Sequence, residues 1–135
     1  MMKMLRPIFQ SNEMAEARPF YLIITFTLLT TAALTLFEPG ASFVVKPGVV
    51  VNGTAGIRQA LERFMALRPT ITIEAQQLVE VGDIVQYCAR WTIRGTDPQG
   101  NPVQLQGRSS SILRRQVDGR WLFLLDNPWG TDIVP

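Results

Sequence analysis

The chain has 135 residues, 47% of them hydrophobic and 18% charged, a globular composition at a length that one domain with its own core fills. Its net charge of +2 comes from 13 basic and 11 acidic residues with no basic run longer than Arg114-Arg115, so it carries no electrostatic footprint for nucleic acid. A single cysteine, Cys88, excludes an internal disulfide, and the lack of histidine removes Ser-His-Asp triads, Cys-His pairs and His-ligated zinc, leaving carboxylates, Tyr, Lys, hydroxyls and backbone amides for any chemistry.

Residues 1–37 form an atypical N-terminal segment. A mixed stretch carries Lys3, Arg6, Glu13, Glu16 and Arg18. After Pro19, the run Phe20 to Phe37 (FYLIITFTLLTTAALTLF) has no charge. It sits at the lower edge of a membrane-spanning length, and its threonines reduce its hydrophobicity. The charged lead is long for a signal peptide, and Gly40-Ala41-Ser42 makes a poor cleavage site. The run is read as a buried apolar helix in a cytoplasmic protein. The alternative is a membrane anchor or export segment at 20–37.

Residues 38–135 read as a single domain with clear punctuation. Ser42–Val45 and Val49–Val51 are short β-rich runs separated by the turn pair Pro47-Gly48. Thr54, within the sequon-like Asn52-Gly53-Thr54, serves as N-cap of a helix. Ile57, Ala60, Leu61, Phe64 and Met65 lie on one stripe of that helix, and Pro69 ends it near Leu67. A meander follows. Thr70–Val81 alternates, with Ile71, Ile73, Ala75, Val79 and Val81 on one face. Gly82-Asp83 turns into Ile84–Gly95, the turn-forming stretch 96–102 leads into Val103–Val117, and Asp118-Gly119 turns into Trp121–Asn127. This order predicts an α+β fold of long antiparallel strands against an amphipathic helix, with no βαβ repeat.

The phrases LTLFEPGASFVV (34–45), VVNGTAGIRQALERFMAL (50–67), VGDIVQYCARWTIRGTDPQGNPV (81–103) and GRSSSILRRQVDGRWLFLLDNPWG (107–130), in this order and spacing, resemble the nuclear transport factor 2-like superfamily, closest in flavour to its SnoaL-like and ketosteroid isomerase-like members. The resemblance implies a curved antiparallel sheet, a cone-like α+β barrel, wrapped around N-terminal helices with a central pocket. It also implies a homodimer in most members. Enzymes and non-catalytic binding modules share this fold, so fold does not settle function. The helix–turn–helix that opens such proteins has no counterpart before residue 38, where the Thr-rich run stands instead.

Aligned with the isomerases, the last hairpins turn Tyr87, Ala89, Trp91 and Ile93 toward the concave face. Leu105, Ser109, Ser111, Leu113, Leu122, Leu124 and Asp126 join them. The isomerase base position falls in Val44-Val45-Lys46-Pro47, which has no carboxylate. The position of the isomerases' protonated Asp falls on Ser111, and their first-helix Tyr has only Tyr21 as a poor counterpart. Ketosteroid isomerisation by that constellation is therefore not expected.

Asp126 is the candidate catalytic group. It ends the apolar run Trp121–Leu125, where desolvation would raise its pKa into the range of a general acid or base. The competing role is to hold the Asn127-Pro128-Trp129 turn. Tyr87, Trp91, Ser109, Ser111 and Leu124 are the candidate ligand contacts. Core packing for the aromatics, and relief of crowding for the serines, are the plainer alternatives. Lys46 is read as a solvated loop residue. The expected ligand is a small apolar or mildly polar molecule, with no cofactor and no metal. The opposite sheet face, with Ile112, Trp121 and Phe123 among arginines, is the expected homodimer surface.

Overall fold

Long runs of β-branched and aromatic residues build most of the chain, and turn-forming pairs set their ends. The computed structural model describes residues 20–23 and 29–135. Its strands are β1 (Phe20–Ile23), β2 (Phe37–Lys46), β3 (Val49–Asn52), β4 (Thr70–Val81), β5 (Ile84–Thr96), β6 (Pro102–Arg115) and β7 (Trp121–Asp126). Two helices, α1 (Leu29–Leu34) and α2 (Gly53–Met65), and a final 3₁₀ turn (Gly130–Ile133) complete the order. The strands form one seven-stranded sheet in the order β1-β4-β5-β6-β7-β2-β3. The α+β class and the cone-like sheet agree with the sequence reading. The sheet is mixed, however, because β2 runs parallel to β7. That pairing joins two strands far apart in the chain, a relation that local alternation does not encode.

The apolar run 20–37 is not one helix. Phe20–Ile23 pairs antiparallel with the outer edge of β4, helix is confined to Leu29–Leu34, and Phe37 already belongs to β2. The aromatic and β-branched content of Phe20–Ile23 suits a strand, and β4 offers an open edge. Residues 1–19 and 24–28 lie outside the described residues, and so does most of the atypical N-terminal segment. No helix among the described residues is long and apolar enough to cross a membrane.

Helix α2 follows the predicted stripe. Ile57, Ala60, Leu61 and Met65 are buried, and they join Ala33, Leu36, Phe37 and Ala41 in a core between the helices and the sheet. Its N-cap is Asn52, two residues before the expected Thr54. The Asn52 side chain makes no cap; its Oδ1 accepts the Ser42 hydroxyl at 2.8 Å and ties β3 to β2.

Two β-bulges determine which side chains face that core. In β4 the register slips between Ile73, opposite Trp91, and Ala75, opposite Arg90, which makes Glu74 the extra residue. Ile71 and Ile73 face inward, but beyond the bulge the inward residues are Gln76 and Leu78. Val79 and Val81, expected beside Ile71, are exposed on the outside. In β7 the slip falls between Phe123, opposite Leu113, and Leu125, opposite Ile112, which makes Leu124 the extra residue. Trp121 and Phe123 therefore face inward. Trp121 is buried with Val85, Tyr87, Ala89 and Leu113, and Phe123 packs against Phe37 with the rings tilted and their centroids 5.3 Å apart. Of the three residues expected on the outer apolar patch, Ile112 alone remains there. Strict period 2 failed because each extra residue reverses the faces of one half-strand.

Candidate functional site

The inner sheet face and the helices line an open cavity of about 270 Å³. Its wall is almost entirely apolar, with Phe37, Phe43, Phe64, Phe123, Trp91 and Trp129 supplying the aromatic surface. Tyr87, Ser109, Ser111 and Asp126 are the polar side chains in the wall, besides the two indoles.

Both indole nitrogens are occupied. Trp91 Nε1 donates to the Pro128 carbonyl at 2.7 Å, and Trp129 Nε1 donates to the Val45 carbonyl at 3.1 Å. The rings meet edge to face, 5.4 Å apart, and both line the cavity. Gly107 makes this possible. It lies opposite Trp91 in the register, and a Cβ there would stand 2.6 Å from Trp91 Cζ2. The indole thus lies over bare backbone.

The turn after β7 is held by Asn127 rather than by Asp126. Asn127 Nδ2 donates to the Gly130 carbonyl at 3.0 Å, and Asn127 Oδ1 accepts the Trp129 amide at 3.2 Å. Asp126 instead takes a hydrogen bond from Ser111: Ser111 Oγ donates to Asp126 Oδ1 at 3.1 Å while accepting the Asn127 amide at 2.9 Å. Burial in this apolar wall raises the Asp126 pKa from 3.8 to about 6, and the Ser111 hydrogen bond pulls the other way. Asp126 is half-buried, and it lines the cavity.

Tyr87 stands opposite Ser111 in the register and is buried. Its hydroxyl donates to Gln76 Oε1 at 3.2 Å. Desolvation, and then the Asp126 charge, hold its phenol well above the ordinary value of 10.0, so it stays protonated. Gln76, Tyr87, Ser111 and Asp126 thus form a polar row across β4, β5, β6 and β7, with Ser109 beside it on a mostly apolar face.

Of the candidates named from sequence, Asp126, Tyr87, Trp91, Ser109 and Ser111 all come to the cavity wall. Ser109 Oγ donates a long 3.4 Å bond to the Ala89 carbonyl. Leu124 does not line the cavity, because it is the bulge residue of β7. Lys46 ends β2 outside the wall. Sequence reasoning missed Gln76, which the bulge at Glu74 turns inward, and Trp129, whose role depends on the turn folding back over Val45. A tryptophan directly after Asn-Pro was the available signal for the latter.

A row of this kind can hold a neutral or ionised carboxyl near neutral pH beside a protonated phenol. It can therefore accept a proton from, or donate one to, a molecule in the cavity.

Several solved structures share this architecture. A nuclear transport factor 2-like superfamily protein from Salmonella enterica matches with a TM-score of 0.67 at 18% identity, over 76% of this chain and 77% of its own. Aln2 from a Streptomyces species matches at 0.61 and 22% identity, over 78% of this chain and 79% of its own. ActVI-ORFA from Streptomyces coelicolor matches at 0.60 and 16% identity, over 72% and 79%. At such identities the likeness concerns the fold. No curated protein matches the chain in sequence. The model of the SnoaL-like domain matches residues 30–123, well over half of the chain, and on that ground the protein belongs to the SnoaL-like family within the nuclear transport factor 2-like fold.

Proposed function

We propose that the cavity binds a small, largely apolar molecule and that Asp126 moves a proton on it, in an isomerase, lyase or hydrolase reaction. The observation that carries this reading is the position of Asp126: a carboxyl in an apolar wall, raised to about 6 by burial, facing a space of about 270 Å³. That volume is near the low end for small-molecule sites and suits one or two fused rings. A group with a pKa near the working pH is the efficient choice for general acid–base catalysis. The test uses 1-tetralone, an apolar ketone of that size, in D₂O. The wild-type protein is expected to exchange the ketone's α-hydrogens for deuterium above the buffer rate, and Asp126→Asn to return the rate to that of buffer. Equal rates in the two proteins would remove Asp126 as a base.

A second reading is a binding module without chemistry. One observation favours it: Asp126 and Tyr87 are the ionisable groups in the described cavity wall, with no lysine, arginine or second carboxylate beside them. On this reading 1-tetralone binds, and its exchange stays at the buffer rate.

A further inference from the structure

We propose that Gln76 is a positioning residue whose amide, by turning over, redirects the Tyr87 hydroxyl from Gln76 to an acceptor oxygen of the molecule bound in the cavity. The proposal rests on reading the cavity as a small-molecule site. It adds a donor pole, built on β4 and β5, to the Asp126 pole on β7.

The geometry starts from an unsatisfied group. Gln76 Nε2 is buried and has no hydrogen-bond partner, the only such side-chain nitrogen or oxygen among the described residues. Its Oε1 accepts the Tyr87 hydroxyl at 3.2 Å, long for an O–H···O bond. A weak bond on one amide atom and an orphaned donor on the other mark an arrangement that gains from exchange. The terminal amide torsion of glutamine is broad and roughly two-fold, so turning over meets little intrinsic resistance. After the turn, Nε2 donates to Tyr87 Oη. The Tyr87 proton then points away from Gln76, into the cavity that its ring already lines. The unsatisfied group becomes a carbonyl oxygen, which native proteins tolerate better than an orphaned N–H.

The arrangement identifies its ligand by chemistry. One face of the molecule presents an acceptor oxygen, such as a ketone, ester or phenolate, to Tyr87. Ser111 and Asp126 stand directly beside Tyr87, on the next two strands. The proton handled by Asp126 therefore belongs to an atom close to that oxygen in the same small molecule.

The test compares 1-tetralone with tetralin, the same ring system without the carbonyl, by competition for the cavity and by the infrared stretch of ¹³C-labelled carbonyl. The wild-type protein is expected to bind 1-tetralone about fivefold to tenfold tighter than tetralin and to lower its carbonyl stretch. Tyr87→Phe should abolish both effects while still binding tetralin. The decisive variant is Gln76→Glu, which keeps shape and the acceptor for Tyr87 but, when ionised, cannot donate. Its preference for 1-tetralone should vanish at high pH and return as the pH falls and the new carboxyl gains a proton to donate. A purely structural Gln76 would give Gln76→Glu the wild-type preference at every pH, and that result overturns the proposal. Equal binding of the two compounds by wild type overturns it as well, while leaving the cavity as a binding site. Binding of neither compound overturns both this proposal and the reading it rests on.

Discussion

Ser111 links two functions through one oxygen: its hydroxyl donates to Asp126 at 3.1 Å and accepts the Asn127 amide at 2.9 Å. The turn that carries Trp129 into the cavity wall is thereby coupled to the carboxylate in the same wall. Because Ser111 is only 1% exposed, neither bond competes with water. Ser111→Ala removes the hydrogen bond that lowers the Asp126 pKa and orphans the Asn127 amide. Its expected results are an Asp126 midpoint above that of wild type and a stability loss of about 1–3 kcal/mol, read by carboxyl NMR and urea unfolding.

The raised pKa of Asp126 makes it a destabilising anion. Its folded value of about 6 exceeds the ordinary 3.8, so the native state binds more protons than the unfolded chain between those values. Stability attributable to this group is therefore full below pH 3.8 and lost as pH rises through 6, by about 2–3 kcal/mol in all. Asp126→Asn should flatten that part of the stability curve and leave the variant more stable than wild type at pH 8. Urea unfolding at a series of pH values checks both points.

Glu38 acts in the opposite sense. From β2 it reaches over β7 to Arg114 on β6, taking bonds of 2.8 Å from Nε and 2.8 Å from Nη2, with Gln116 Nε2 adding a third at 2.9 Å. The Arg114 hydrogen bond, against some desolvation, lowers the Glu38 pKa from 4.5 to about 2. Its contribution is present above pH 4.5 and lost as pH falls toward 2. Arg114 is 47% exposed, so solvent screening limits the effect to about 1 kcal/mol, far below what the shift alone implies. Glu38→Gln should cost that much at pH 7 and almost nothing at pH 2, as measured by urea unfolding at the two values.

Gly107 is expected to tolerate no side chain. A Cβ at 2.6 Å from Trp91 Cζ2 and 2.9 Å from Cε2 forces the indole off the sheet and strains its bond to the Pro128 carbonyl. Gly107→Ala should destabilise the protein by about 1–3 kcal/mol. Thermal unfolding and the change in tryptophan emission check it. Unchanged emission would mean that Trp91 does not lie over Gly107.

Much of the architecture was legible because turn chemistry and periodicity agreed. Gly82-Asp83, Asp118-Gly119 and the stretch 96–102 join strands as read, and the stripe Ile57, Ala60, Leu61 and Met65 is buried as read. Tyr87, Trp91, Ser109 and Ser111 share a wall because β5 and the matching part of β6 keep regular alternation opposite each other, and Asp126 joins them from β7, beyond the bulge at Leu124. Alternation assigns the wrong face where an extra residue interrupts the ladder. Glu74 and Leu124 carry no local signal for a bulge, since neither is Gly nor stands beside Pro, and each reverses the half-strand next to it. The parallel contact of β2 with β7 was hidden for a different reason. It joins segments far apart in the chain, and its register slips between Phe37 and Ser42.

The inward position of Trp121 supplies a further check. Trp121→Asp should destabilise the protein by about 3 kcal/mol or more, as read by urea unfolding, because the charge enters a cluster with Val85, Tyr87 and Leu113. A variant as stable as wild type would return Trp121 to the outer face.

The central claim is that a carboxyl lies desolvated in the cavity wall and titrates near neutrality. A ¹³C NMR titration of the side-chain carboxyls, with Asp126→Asn to assign the resonance, measures it directly. The account predicts a midpoint near 6 for Asp126. A midpoint at or below its ordinary 3.8 would show a solvated or ion-paired carboxylate and would contradict the proposed role.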